Sequence, residues 1–176
     1  MGGVLIRREV AGDVAAIHQV HAEAFAAQAA PGTTPVEPGL VDKLRESDAW
    51  IPELSMVALD LEGEVMGHVV CTRAHIAGTP ALGLGPLGVR AGVQGQGVGH
   101  ALMHAVLGAA DALGEPVVVL LGHLDYYPRF GFRPAADYGI TPPVPEWGSH
   151  FQARTLTAYD PSIRGEFVYA KPFMEL

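Results

Sequence analysis

Between residues 82 and 114 the spacing of apolar positions changes its period. Leu82, Leu84, Leu87 and Val89 make an apolar segment of strand length, loosened by the glycines within it. Gly92, Gly95, Gly97 and Gly99 then crowd one turn. From His100 onward Leu102, Val106, Ala109 and Leu113 fall on one helical face. Gly114 stands where a left-handed residue ends a helix, and Pro116 bars continuation. The order predicted is strand, glycine-rich turn, helix.

The remaining elements follow from the same periods. Val4 to Arg8 predicts a first strand, and Asp13 is placed to cap a helix carrying Val14, Ile17, His21 and Ala24. His18 and His21 read as a surface pair on that helix, with no further ligand placed for a metal. Residues 29 to 39 hold three prolines and form a loop, and Leu40 to Ser47 a short second helix. Ser55 to Leu61 and Glu64 to Ala74 predict strands joined at Glu62-Gly63, with residues 75 to 81 as a connection. Val117 to Leu121 is all aliphatic and suits a strand buried on both faces. A helical turn around Tyr126 to Phe130, a return strand from Phe132, a proline-rich stretch from Thr141 to Pro145 and a last strand over Gly165 to Lys171 complete the chain. No internal repeat is visible.

Composition narrows the picture. A length of 176 residues is most simply one domain, and 49% hydrophobic with 17% charged residues fits a globular chain. The net charge of −8 argues against a nucleic-acid partner and is compatible with a cationic amine. Cys71 is the single cysteine, so no intramolecular disulfide forms and a reducing compartment fits; within an apolar strand pattern it reads as a small buried hydrophobe. Arg7, Arg8 and Glu9 interrupt any secretory segment early, and no apolar run reaches membrane-spanning length. The expectation is a cytoplasmic protein that engages no membrane.

A glycine-rich turn feeding a helix N-terminus suits phosphate. The first helical N–H groups have no internal partner, the dipole adds positive potential, and glycines let a ligand approach the backbone. The chain lacks the Gly-Lys pair of a P-loop. The literal G-x-G-x-x-G at Gly83, Gly85 and Gly88 lies inside the strand-like segment, includes Pro86 and opens no helix. A dinucleotide fold therefore fails on context.

The residues at the turn, Gln94-Gly95-Gln96-Gly97-Val98-Gly99, form Q-x-x-G-x-G. This resembles the signature of the GNAT superfamily of acetyl-CoA-dependent N-acyltransferases. Leu84-Gly85-Pro86-Leu87-Gly88-Val89 is similar to that superfamily's fourth strand, and Tyr126-Tyr127-Pro128-Arg129-Phe130-Gly131-Phe132 to its Tyr-x-x-x-Gly-Phe element. The three motifs, in order, resemble most the small bacterial YhbS-like branch. The resemblance runs from about residue 4 to residue 134.

What it implies is a three-layer α/β/α fold over residues 1–176, with a central mixed, mostly antiparallel sheet, and transfer of an acetyl group from acetyl-CoA to a primary amine. Coenzyme A would be held by backbone groups of Leu87, Gly88 and Val89 and of Gln94, Gly95, Gln96, Gly97, Val98, Gly99 and His100. The Val89 N–H would face the oxyanion. Tyr127, four residues before Gly131, would be the acid for the departing thiolate, with Tyr126 beside it as the alternative. Arg90 is a candidate for steering phosphate, and residues 29–39 are either a lid or a plain connector. Many relatives carry a glutamate on the fourth strand, but residues 82 to 89 contain no carboxylate. Glu53, His123, Asp125 or a water chain remain as bases. His100 and His104 stand four apart without the Glu of H-E-x-x-H, so no metal is implied. The acceptor is a small or peptide amine, a homodimer is compatible with the superfamily's habit, and a non-catalytic acyl-CoA-binding module is the alternative function.

Overall fold

The structure is a computed structural model that describes residues 3–176. In chain order its elements are β1 (Leu5–Arg8), α1 (Val14–Ala24), α2 (Glu37–Arg45), β2 (Trp50–Leu59), β3 (Val65–Ile76) and β4 (Thr79–Val89). There follow α3 (Val98–Ala112), β5 (Val117–Leu121), β6 (Arg133–Pro134), β7 (Ile140–Thr141), β8 (Phe151–Thr155), β9 (Gly165–Val168) and α4 (Lys171–Met174). The sheet runs β1-β2-β3-β4-β5-β8-β6, with β9 added beside β3 and β7 beside β9. Within that row only β4 and β5 are parallel.

Period-2 alternation sends the strands' apolar residues to two faces. Met56, Ala58, Val69, Leu82 and Leu84 pack with Leu102, Met103 and Val106 of α3. Val57, Leu59 and Val65 point the other way, to Ile17 and Val20 of α1 and Val41 of α2. These are the expected helix, sheet and helix layers. A third cluster joins Ile76, Ala81, Val117 and Val119 to Phe151 and Phe167 of the C-terminal strands.

Leu84 and Leu87 are three apart, which in an unbroken strand would set them on opposite faces. A bulge resolves this. Val69 pairs with Leu87 and Cys71 with Leu84, so Gly85 and Pro86 together oppose Val70. Gly85 has φ +143°, a conformation that side chains rarely adopt. Leu84, Leu87 and Val89 then all join the α3 face.

Several boundaries differ from expectation. The connection at 75–81 is a two-residue hairpin, Ala77-Gly78, with both residues at positive φ, so β4 starts at Thr79. β2 begins at Trp50, ahead of a register shift before Ser55. α2 starts three residues early at Glu37, since Pro38 fits the first turn of a helix, and α3 starts at Val98. Lys171 opens α4 and is no part of β9. β8, which separates β5 from β6, was not anticipated. Asp13 precedes α1 but makes no side-chain cap; its carboxylate accepts from the Val10 N–H at 2.8 Å and from Arg7 at 2.7 Å. Gly114, at φ +77°, does end α3: its N–H bonds the Asp111 carbonyl and that of Glu115 the Ala110 carbonyl. Cys71 is fully buried, which pushes its thiol pKa up, and it packs as a small hydrophobe. No helix among the described residues is long and apolar enough to cross a membrane.

α3 lies so close to the sheet that Gly67 of β3 has no room for a side chain. A Cβ there would stand 2.9 Å from Leu102, and 3.1 Å from both Val98 and the Gly88 carbonyl. Gly67→Ala is expected to destabilise by about 1–3 kcal/mol, as overpacking does. Gly12→Ala, where a Cβ meets nothing within 4 Å, should stay within about 0.5 kcal/mol of wild type. Urea unfolding of both variants checks this, and equal losses would contradict the close packing.

Candidate functional site

β4 pairs with β5 at only two positions, Leu82 with Val118 and Gly83 with Val119, and then the strands part. The Arg90 N–H bonds the Met66 carbonyl across to β3. Antiparallel alternation then directs the Gly88 N–H toward β3 and turns the N–H and C=O groups of Leu87 and Val89 away from it, into the gap that β5 vacates. The Val89 carbonyl is reached there by the Gln94 side-chain amide at 3.0 Å.

A groove of about 560 Å³ occupies this gap. Leu87, Gly88 and Val89 form one wall, and Ala24, Phe25 and Gln28 at the end of α1 form another. Gln94, Gly95, Gly97, Val98, Gly99 and His100 close it at the helix end. Gly95 and Gly97 take φ of +78° and +87°, which glycine adopts freely. The Gly97 carbonyl accepts the Ala101 N–H, so the N–H groups of Val98, Gly99 and His100 are the unpaired donors of α3. The Val98 side chain points into the core. Gln96 is exposed and does not line the groove.

The two tyrosines divide. Tyr126 lines the groove, and its hydroxyl lies where a Cβ on Gly99 would come within 2.8 Å. Tyr127 sits behind it, edge-on to Tyr126 and Phe132, with its ring against Gly122 just after β5. Burial, and secondarily Tyr126, pushes the Tyr127 phenol up to about 12. Burial also raises Tyr126, against the opposing Arg129. Both therefore carry their protons at neutral pH.

Arg129 is a groove residue that sequence reasoning passed over. Its guanidinium stacks 4.9 Å above the Tyr126 ring, bonds the Asp125 and Tyr126 carbonyls, and reaches His100 Nε2 at 3.3 Å. Arginine beside an unpaired helix N-terminus is an anion-binding combination, and its place inside the Tyr-x-x-x-Gly-Phe element was the available signal. Arg90 turns elsewhere, to the Val65 carbonyl at 2.7 Å and toward Glu23. Glu53, His123 and Asp125 do not line the groove, and no carboxylate among the described residues does. His104 is exposed, edge-on to Phe130. Residues 29–34 form a largely exposed loop that leaves the groove rim just after Gln28.

Beneath the Gly88 wall lies an arrangement that sequence reasoning misjudged. His21 is fully buried, not on the surface. Its Nε2 meets His68 Nδ1 at 2.8 Å, and His68 Nε2 meets the Ser55 hydroxyl at 2.8 Å. Ser55 donates to Glu9, whose carboxylate also accepts from Arg45 at 2.8 and 3.2 Å. His18 alone faces outward, bonded to Asp42. Burial alone would raise Glu9; hydrogen bonds from His68, Arg45 and Ser55 outweigh it and hold the carboxyl at about 2. Burial, then the nearby His68, His18 and Arg45, drives His21 down to about 2. Burial also lowers His68, against Glu9.

Comparison with known proteins adds family and fold. The model of the acetyltransferase (GNAT) family matches residues 14–132. YjhQ of Escherichia coli K12, described as an uncharacterized N-acetyltransferase, is 36% identical over 77% of this chain and 79% of its own. The crystal structure of E. coli YhbS in complex with CoA superposes with a TM-score of 0.86 at 29% identity, over 99% of this chain and 93% of that one. A GNAT family acetyltransferase from Brucella melitensis, in complex with acetyl-CoA, gives 0.78 at 32% identity, over 97% and 98%.

The buried histidines set a pH dependence. An imidazole whose pKa is lower folded than unfolded binds fewer protons in the native state, so stability is whole above the unfolded value of about 6.5 and is lost as pH falls toward the folded value. Glu9 adds a second loss below about 4.5 by the same sign. Urea unfolding at pH 7.5 and pH 5 should differ by at least about 2 kcal/mol, the share of His21 alone, with His68 adding to it and the protein at pH 7.5 the more stable. Equal midpoints would mean these imidazoles are not held neutral.

Proposed function

The chain belongs to the acetyltransferase (GNAT) family, and from that premise we propose that it moves an acetyl group from acetyl-CoA to a primary amine by direct attack. The observation that carries the reading is the junction of two unpaired backbone surfaces in one groove. The Leu87 and Val89 amides face the gap beside β4, and the donors of Val98, Gly99 and His100 close its end.

The groove's chemistry fits coenzyme A. Its pyrophosphate would be held by the turn from Gln94 to His100, where helix N–H groups, the dipole and Arg129 all favour an anion. The pantetheine arm would add its amides to the free edge of β4 at Leu87, Gly88 and Val89, in the manner of an added strand. Acetyl-CoA supplies the activated thioester. The chain's own work is to hold it beside β4, to offer the Val89 N–H where negative charge gathers on the acetyl oxygen, and to deliver a proton to the departing sulfur. A main-chain donor is already oriented, which is what makes it effective. Tyr127 takes the proton-donor role by its place in the Tyr-x-x-x-Gly-Phe element, and burial keeps its phenol, like that of Tyr126, protonated across the physiological range. Tyr126, on the groove wall, is the competitor for that role. The acceptor is a small or peptide amine, and the setting is the cytoplasm, supported by the lone buried thiol of Cys71.

The absence of a carboxylate from the lining favours one second reading, a module that binds acyl-CoA without turnover. Calorimetric titration with acetyl-CoA, with NAD as control, comes first. Binding of acetyl-CoA alone is expected; no binding would remove both readings. Tyr127→Phe should then lower turnover by about 10²-fold or more at near-constant acetyl-CoA affinity, and unchanged turnover would take Tyr127 out of the acid role. At Gly97 a side chain meets nothing within 4 Å but must adopt φ +87°. Gly97→Val should therefore reshape the turn and weaken acetyl-CoA binding by about tenfold or more, at a strain cost of about 1–3 kcal/mol. Wild-type affinity would place the phosphate elsewhere.

A further inference from the structure

Gly99 differs from the other glycines of the turn. Gly95 and Gly97 stand at positive φ, but Gly99 does not; it lies within the first turn of α3. The backbone there would accept alanine, and a helical glycine is the less stable choice. What a side chain would meet is a hydroxyl. A Cβ on Gly99 would lie 2.8 Å from the Tyr126 oxygen and 3.8 Å from the Val89 side chain. Gly99, Val89 and Tyr126 all line the groove, so the phenol oxygen sits in the corner where β4 ends and α3 begins.

The Tyr126 ring is fixed in that corner. Arg129 stacks over it at 4.9 Å, and the rings of His100, Tyr127 and Phe130 meet it at 5.7, 5.0 and 5.3 Å. Arg129 is itself locked but not spent. Of the five N–H donors of a guanidinium, one goes to the Tyr126 carbonyl, one to His100 Nε2 and one to the Asp125 carbonyl, which leaves two. Burial raises the Tyr126 phenol against the opposing Arg129, so its hydroxyl remains a donor at neutral pH.

We propose that Tyr126 is a phosphate-binding residue: its O–H donates to the pyrophosphate of coenzyme A at the first turn of α3, and Gly99 is glycine to leave that hydroxyl its place. The inference rests on coenzyme A occupying the groove. The pyrophosphate is then met from two sides. The helix offers the N–H groups of Val98, Gly99 and His100, and the tyrosine element offers the Tyr126 O–H with the two spare N–H groups of Arg129. Tyr126 thereby has a task apart from delivering a proton to sulfur, and Tyr127 holds the acid role without a rival.

Calorimetric titration with CoA across wild type, Tyr126→Phe, Gly99→Ala and the double variant tests both halves. Tyr126→Phe keeps the ring and removes the donor; CoA affinity should fall about tenfold or more, as for a lost hydrogen bond to a charged group. Gly99→Ala should also weaken CoA binding, by displacing the hydroxyl. Adding it to Tyr126→Phe should cost little more, because the atom it collides with is gone. Phosphorus NMR of bound CoA reads the contact directly: Tyr126→Phe should move the pyrophosphate signals and leave the 3′-phosphate signal in place. Wild-type affinity for Tyr126→Phe, or unmoved pyrophosphate signals, would overturn the proposal and leave acetyl transfer standing. Losses that simply add in the double variant would overturn the pairing of Gly99 with Tyr126. A wild type that does not bind CoA would overturn the inference together with the reading it rests on. Should Gly99→Ala fail to fold, Tyr126→Phe and the phosphorus signals carry the decision.

Discussion

β4 must leave part of its backbone unpaired without burying it. An N–H group shut away from both water and a partner costs free energy comparable to a lost hydrogen bond. The chain meets this constraint by letting β5 turn away after Gly83 and Val119, so that Leu87 and Val89 face an open groove and not a neighbouring strand. Much else follows from that departure. The bulge at Gly85–Pro86 keeps the leucines on the α3 face while the edge stays free. Gly67 lets α3 press against β3 at the level of Gly88, and so brings the helix N-terminus to the same opening.

The fold was legible in sequence as far as its determinants were local. The glycine turn, α3 and its cap at Gly114 rest on φ requirements and periodicity within a few residues. They appeared where expected, with α3 two residues longer at its start. β8 was not legible. Phe151-Gln-Ala-Arg-Thr is short and alternating, and its identity as a strand is set by pairing with Val117–Leu121 and with Arg133 far along the chain. Loss of the intrinsic signal to tertiary context is ordinary for strands. The hairpin at Ala77-Gly78 was missed for a different reason, since alanine at positive φ carries no turn signature.

The groove residues were read through the glycine motif and mostly line the opening, with Gln96 the exception. The histidine chain was hidden because its links come from two strands, a helix and the residue that follows a third strand: Ser55 on β2, His68 on β3, His21 on α1 and Glu9 just after β1. One clue was present. His21 shares a helical face with Ile17 and Ala24, and a histidine on an apolar face is generally an interior one. Periodicity placed it correctly; what it could not supply was the partner 47 residues away.

The position of β5 bears on how the chain emerges during synthesis. Val118 pairs with Leu82, 36 residues earlier, and with Arg154, 36 residues later. One edge of this aliphatic strand can be covered as soon as it is made. The other waits for β8, with the tyrosine element and the proline-rich stretch translated in between. For that interval a nascent chain carries an apolar strand with an open edge, the kind of surface that recruits other strands. The distance from Leu121 to Phe151 thus acts as a timer on exposure, and ribosome pausing within it would weigh on yield more than the stability of the finished fold suggests.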